Sequence, residues 1–277
     1  MILLSGKIVR DTLVEELKQT VARLSVQPKL VIVQVGNNPE STVYINQKKK
    51  LGEVLGVSVE HSMYDENISE NDLLKNVEKL NIDTNVTGII VQLPLPKHIN
   101  SRHILDSISS IKDVDGLGSV QTGLLVTGNT QAFIPATARG IMLLFDYYNI
   151  SLSGKHVVVV GRSDLVGKPV ATLSLSRNAT VTLCHSKTAH LKEITQTADV
   201  IIVAIGKPNF VDSSYVREGQ VVIDVGIHKL DGAMCGDVNF ESVKDIVSAI
   251  SPVPGGVGPL TVVSLFQNLV DASQRTV

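Results

Sequence analysis

The 277-residue chain holds only two cysteines, Cys184 and Cys235. Two are too few for a disulfide framework, and their separation fits no CxxC redox or metal spacing. Reduced, buried thiols are the expectation. The chain also lacks any block of like charge: 25 basic against 27 acidic side chains leave a formal net charge of −2. That balance argues against an electrostatic grip on nucleic acid or on an anionic membrane. The opening MILLSGKIVRD has no basic region followed by an apolar core and a cleavage site. Nor does any apolar run approach the roughly 20 residues of a membrane span. A cytoplasmic location follows, with small-molecule chemistry as the default function. No internal repeat, low-complexity segment or His/Cys cluster at ligand spacing is visible, so no metal is expected.

What the sequence does contain is apolar runs at intervals. With 43% hydrophobic and 19% charged side chains, it is long enough for one large domain or two ordinary ones. KLVIVQVG (29–36), VSVEHSMY (57–64), GIIVQLPLP (88–96), KHVVVVG (155–161), ATVTLCHS (179–186), DVIIVAIG (199–206) and VVIDVG (221–226) read as strands. Between them, DTLVEELKQTVARL carries Leu13, Leu17, Val21 and Leu24 at helical spacing, and SENDLLKNVEKL follows the cap-like Ser69 with Leu73, Val77 and Leu80. This alternation predicts an α/β fold with parallel sheet. Residues 112–154 break it: turn residues without a strong period, a helix over TARGIMLLFDYYNI, then the turn SLSGK. A crossover between two α/β units fits there. A last helix over LTVVSLFQNLVDA puts Val262, Leu265, Phe266 and Leu269 on one face.

In the second half, VVVVGRSDLVGKPVATLSL runs from a buried strand through Gly161 and Gly167 into a helix. Small residues there let backbone N–H groups approach a pyrophosphate, and a helix N-terminus adds partial positive charge. The spacing is GxSxxxG rather than GxGxxG, so a plain tight turn is the competing reading. The next strand ends in CHSKT (184–188), without the carboxylate that binds a ribose hydroxyl in NAD sites. Arg162, His185, Ser186 and Lys187 suit a 2′-phosphate instead, which prefers NADP to NAD; ordinary solvated surface charge is the alternative for each.

In the first half, TVYINQKKKLGEVLG (42–56) places three lysines in a helix. At roughly 100° per residue, Val43, Tyr44, Leu51, Val54 and Leu55 share an arc with Lys48 at its edge, Lys49 nearly opposite and Lys50 at the other edge. Lys48 has Tyr44 one turn before it and Gly52, an expected open space, one turn after. A lysine at a partly apolar edge loses its proton more easily, which suits general acid/base work; a snorkelling lysine that covers apolar surface is the competing reading. Gln92 interrupts an apolar strand, either to orient another group or to bond backbone. KDVDG brings Lys112, Asp113 and Asp115 into a turn, where paired carboxylates would hold a metal, or one would bind a polar heterocycle. His98 and His103 read as surface residues. SPVPGGVGPLT (251–261) is a rigid turned loop suited to close backbone approach to a ligand, or to a tight entry into the last helix.

YINQK (44–48), VQLPLP (91–96), KDVDG (112–116), VVGRSDLVGKP (159–169), CHSKT, GDV (236–238) and PVPGGVGPLT (252–261) occur together and in this order. End to end, the chain resembles the bifunctional methylenetetrahydrofolate dehydrogenase/methenyltetrahydrofolate cyclohydrolase proteins. The resemblance implies an NADP-linked oxidation of 5,10-methylenetetrahydrofolate and opening of the methenyl product by water. It implies Lys48 as general acid/base, Gln92 holding and tuning it, Asp115 anchoring the pterin and Tyr44 packing on the folate. It implies cofactor contacts at Gly161, Arg162, Ser163, Ser186 and Ile227, and a folate pocket bordered by Pro254, Gly255, Gly258 and Pro259. The implied fold is a catalytic α/β domain over 1–140, rejoined by a final helix at 258–277, and a Rossmann-like domain over 141–257, with the active site in the cleft between them. A homodimer through the second domain is implied as well.

The chain departs from the family pattern in KDVDGLGSVQTG, at Leu117, Gly118, Ser119 and Gln121, and in PATARG, at Ala136 and Ala138. A dehydrogenase with weak cyclohydrolase activity is therefore the near alternative. A nucleotide-sensing Rossmann protein is opposed by the intact Lys48, and a metal-dependent glycosyl-transfer enzyme by the missing ligand partners.

Overall fold

The structure, a computed structural model, describes residues 1–230 and 232–275; the last two residues of the expected segment 258–277 lie outside them. In chain order the strands are β1 (Ile2–Leu3), β2 (Lys29–Val35), β3 (Ser58–Tyr64), β4 (Gly88–Val91), β5 (His156–Val160), β6 (Thr180–Cys184), β7 (Val200–Val203), β8 (Val221–Asp224), β9 (His228–Leu230), β10 (Ala233–Cys235) and β11 (Ala249–Ile250). The helices are α1 (Gly6–Val21), α2 (Pro39–Leu55), α3 (Glu70–Ile82), α4 (Ser101–Ser107), α5 (Ser119–Val126), α6 (Ala136–Tyr147), α7 (Gly167–Ser176), α8 (Leu191–Thr197), α9 (Phe240–Val243) and α10 (Gly258–Arg275). They form two compact units, one of residues 13–136 with 262–275, the other of residues 1–12 with 137–261.

The first unit is built on a parallel sheet ordered β3-β2-β4. Central β2 is apolar on both faces, as a covered parallel strand requires. Val31, Val33 and Val35 pack with Leu73, Val77 and Ile104 from α3 and α4 on one face. Ser69 caps α3 by accepting from the Asp72 N–H at 3.1 Å. β4 stops at Val91, short of the apolar run 88–96, because Pro94 and Pro96 lack ladder donors.

The second unit carries a six-stranded sheet ordered β1-β11-β8-β7-β5-β6, parallel throughout. Chain order reverses at β5, flanked by β6 and β7, which is where parallel α/β sheets bind ligands at their C-terminal strand ends. Residues 1–12 belong here because β1 extends the sheet, with Ile2 N–H donating to Ser248 O at 2.7 Å and Leu4 N–H to Ile250 O at 2.9 Å. A two-residue strand leaves no periodicity to read, nor do the three-residue strands of the β9–β10 hairpin. Within 112–154 the structure adds α5, whose run SVQTGLLV has no helical stripe. Cys184 is buried, but Cys235, at the end of the hairpin, is only half-buried; both are unpaired thiols. His98 and His103 are exposed.

Candidate active site

The buried seam of α2 runs through Ser41, Ile45, Gly52 and Leu55, and half-buried Lys48 falls at its centre on an ideal helix of roughly 100° per residue. The sequence arc is displaced from this seam, since Val43, Tyr44 and Val54 are exposed. Gly52 is not an open space: a Cβ there would lie 2.4 Å from Val59 Cγ2, so the glycine lets α2 close onto β3. Lys49 does not point away to water; it is half-buried, with Nζ 3.4 Å from His61 Nδ1, whose Nε2 lies 2.8 Å from Gln34 Oε1. Lys50 is the exposed one. Gln34 and His61 carried no signal in sequence, Gln34 being an isolated amide in an apolar strand and His61 one of several polar residues in β3.

Lys48 Nζ donates to Gln92 Oε1 at 2.9 Å, and Gln92 Nε2 donates to Leu93 O at 3.2 Å. The two uses foreseen for Gln92, orienting a group and bonding backbone, are thus both made. Gln92 is at the site because its N–H continues the ladder from β4 to Val33 O at 2.8 Å. Burial pushes the Lys48 ammonium below the ordinary 10.5, and the Asp115 charge partly opposes that shift. Reciprocally, burial raises the Asp115 carboxyl and Lys48 restrains it.

The three charged residues of KDVDG divide their work. Lys112 Nζ donates to Leu80 O at 3.1 Å and Asp83 O at 2.7 Å, satisfying carbonyls at the end of α3. Asp113 accepts from Gly116 N–H at 3.1 Å and Gly118 N–H at 2.8 Å, bracing the turn, and burial raises its pKa to about 6. Gly116, at φ +71°, has no room for a side chain, since a Cβ would meet Phe133 O at 2.3 Å. Asn268 of α10 donates to Val114 O and Ile134 O, both at 2.8 Å. Asp115 is half-buried and makes none of the bonds that brace the turn. Among the described residues, no three His, Cys, Asp or Glu side chains are gathered to hold a metal ion.

The residues at which the chain departs from the family pattern make internal contacts. Leu117 is in the core, Gln121 donates to Ser110 O and accepts from Phe133 N–H, and Ser119 bonds Asp106. Ala136 and Ala138 are buried.

In the other unit, Gly161 ends β5 at φ +125°, where a Cβ would lie 2.1 Å from Ala204 O; a Cβ on Gly167 would lie 2.1 Å from Gly161 O. Both places are open only to glycine, as a backbone cradle for phosphate requires. Ser163 Oγ accepts from Val166 N–H at 3.2 Å and Gly167 N–H at 3.4 Å, shaping the entry to α7. Arg162, Ser186 and Lys187 are exposed at the ends of β5 and β6; half-buried His185 accepts from Lys187 N–H at 3.1 Å. This donor set fits a phosphorylated dinucleotide. The loop 252–257 bends through Gly255 at φ +106°, and a Cβ on Gly258 would lie 3.1 Å from Ile227 Cδ1. Pro254 is exposed and Pro259 half-buried. Thus Lys48, Gln92 and Asp115 come together in one unit, with Tyr44 exposed one turn from Lys48. The glycines and Ile227 belong to the other.

These features define a two-unit α/β protein in which a Rossmann-like sheet accompanies a unit that gathers Lys48, Gln92 and Asp115. The family model for the NAD(P)-binding domain of tetrahydrofolate dehydrogenase/cyclohydrolase matches residues 135–277, and that for its catalytic domain matches residues 4–115. The bifunctional protein FolD of Agathobacter rectalis is 47% identical, over 99% of each chain. The crystal structure of the bifunctional FolD methylenetetrahydrofolate dehydrogenase/cyclohydrolase from Campylobacter jejuni matches with TM-score 0.98 and 43% identity, covering 100% of both chains. The Trypanosoma brucei N5,N10-methylenetetrahydrofolate dehydrogenase-cyclohydrolase, solved with NADP cofactor and inhibitor, matches with TM-score 0.94 and 33% identity over 100% of this chain and 98% of that one. The chain belongs to the tetrahydrofolate dehydrogenase/cyclohydrolase family.

Proposed function

We propose that the protein oxidises 5,10-methylenetetrahydrofolate with NADP and hydrolyses the resulting methenyl cation to 10-formyltetrahydrofolate, in one-carbon metabolism. The observation that carries the reading is the bond from Lys48 to Gln92 beside Asp115, with the ammonium pushed down by burial. In oxidation the methylene carbon gives up a hydride, and NADP, when bound, accepts it. Gly161, Arg162, Ser163, Ser186 and Ile227 hold the cofactor. Arg162 and the absence of a carboxylate in 184–188 support NADP over NAD.

The methenyl carbon is already electrophilic, so hydrolysis needs positioned water and proton transfer. Neutral Lys48 takes a proton from water as its oxygen bonds that carbon. The ammonium then returns the proton to N5 as the C–N5 bond breaks, and the remaining hydroxyl proton leaves to solvent as the C=O forms, so that the formyl group stays on N10 and one proton is released overall. Gln92 fixes the amine by accepting from it, Asp115 anchors the pterin, and Tyr44 packs against the folate. Pro254, Gly255, Gly258 and Pro259 border the substrate.

The reading includes a cytoplasmic homodimer. Two unpaired thiols suit a reducing compartment. Among the described residues no helix is long and apolar enough to cross a membrane. For the dimer, β6 is an edge strand with Leu183 exposed, and Leu175 of α7 is exposed as well. Light scattering on the purified protein tests the dimer. The activity is tested by supplying methylenetetrahydrofolate with NADP or NAD, following nicotinamide reduction and then loss of the methenyl species. Reduction with NADP followed by clearance is expected; no reduction with either cofactor sinks the reading.

A further inference from the structure

Asp237 is fully buried, and its carboxylate accepts four hydrogen bonds. Three come from the loop after β7: Ile205 N–H at 2.7 Å, Gly206 N–H at 3.0 Å and Lys207 N–H at 2.8 Å. The fourth comes from the first residue of β9, just past the loop after β8, where His228 Nε2 lies 2.8 Å from Asp237 Oδ1. A buried polar group is tolerated only where partners surround it, so this cluster costs little while complete and much when one donor is removed. Asp224, at the end of β8, braces the same region by accepting from Gly226 N–H at 3.0 Å, Asp237 N–H at 2.9 Å and Val238 N–H at 2.9 Å. There is no slack at Gly226, where a Cβ would lie 2.5 Å from Asp237 Cγ.

Ile227 lies between these two braces. It is flanked by Gly226, bonded to Asp224, and by His228, bonded to Asp237, and yet it is 43% exposed. A large apolar side chain held in the open by the residues on either side of it, at the C-terminal end of a parallel strand, is a platform for a flat ring. Gly258 leaves it room on one side.

We propose that His228 is a positioning residue for the dinucleotide: by tying the loop after β8 to the loop after β7 through Asp237, it fixes Ile227 as a wall of the nicotinamide site. The proposal rests on the NADP reading given above. His228 touches neither substrate nor cofactor, and its effect passes through Ile227.

The test measures the NADP dissociation constant by fluorescence titration, alongside hydrolysis of the methenyl substrate, which needs no cofactor. His228→Leu keeps the volume without the donor, and is expected to weaken NADP about tenfold while hydrolysis stays within about twofold. His228→Gln, whose amide N–H replaces the donor, is expected to recover NADP binding to within about threefold of wild type. In an Ile227→Ala background, His228→Leu is expected to change NADP binding by less than about twofold, because the residue it positions is gone. An undiminished loss in that background overturns the proposal. So does unaltered NADP binding in His228→Leu, or hydrolysis and binding falling together in both His228 variants. Wild-type protein that binds no NADP sinks the functional reading itself, whereas normal wild-type binding with an indifferent His228→Leu sinks this proposal alone.

Discussion

Lys48 combines a hydrogen bond to a neutral amide with a charge interaction to one carboxylate, in surroundings that disfavour its ammonium. A lysine in that state titrates below the ordinary 10.5, so methenyl hydrolysis is expected to rise with pH and level off below the usual lysine range. A background-subtracted pH–rate profile checks this; a limb at the ordinary lysine value contradicts it. Lys49→Met is expected to change the hydrolysis rate by less than about threefold, since the partner of Lys49 is His61 of β3 and not Gln92. Asp113 supplies a stability prediction. Its pKa is raised to about 6 by burial, so the folded state binds more protons than the unfolded chain between roughly pH 4 and 6. Its contribution is present on the acid side and lost as pH rises through that window. Asp113→Asn is therefore expected to cost on the order of 1 kcal/mol more at about pH 5 than at about pH 7, in denaturant unfolding. An equal or reversed cost contradicts the assignment. The helix position that set Lys48 apart in the sequence does put it on the buried seam of α2 and in reach of Gln92, whereas the space assigned to Gly52 is filled by Val59.

Elements became legible in proportion to their burial. β2, β5 and β7 are covered on both faces and read as continuous apolar runs, whereas β9 and β10 are short and largely exposed and give no pattern. α5 hides for a different reason, because its fixed points are Gln121 bonding two backbone groups and Ser119 bonding Asp106, which leave no apolar stripe. The positions of Gln92 and Asp115 follow from a strand end and a braced turn, both marked in sequence by Pro and Gly. The packing of α2 on β3 was not legible, since nothing local says what a helical glycine faces. Gly52→Ala is accordingly expected to destabilise the protein by about 1–3 kcal/mol and to lower turnover more than substrate binding, because α2 must lift from Val59 and carry Lys48 with it. Chemical denaturation with steady-state kinetics checks both parts; a stabilised or kinetically unchanged variant contradicts the packing account.

At the scale of the molecule, the residues proposed for acid–base chemistry and those proposed for dinucleotide recognition lie in separate units and rest on different signals. The acid–base set needed three distant segments, Lys48, Gln92 and Asp115, and sequence geometry alone joined none of them. The proposed dinucleotide set comes mostly from one strand–loop–helix stretch and the end of the next strand, and the structure bears out that local strand–turn–helix. Arg162→Ala is expected to weaken NADP about tenfold or more while changing NAD binding by less than about twofold, as loss of a phosphate partner predicts. Titration with both nucleotides checks the difference; equal losses contradict a 2′-phosphate role for Arg162. The central claim, that one lysine carries the protons of ring opening in an NADP-linked folate enzyme, is tested most directly by methenyl hydrolysis in Lys48→Met. The account predicts a loss of at least about a hundredfold with NADP binding intact. Hydrolysis near the wild-type rate in a variant that still binds NADP would contradict it.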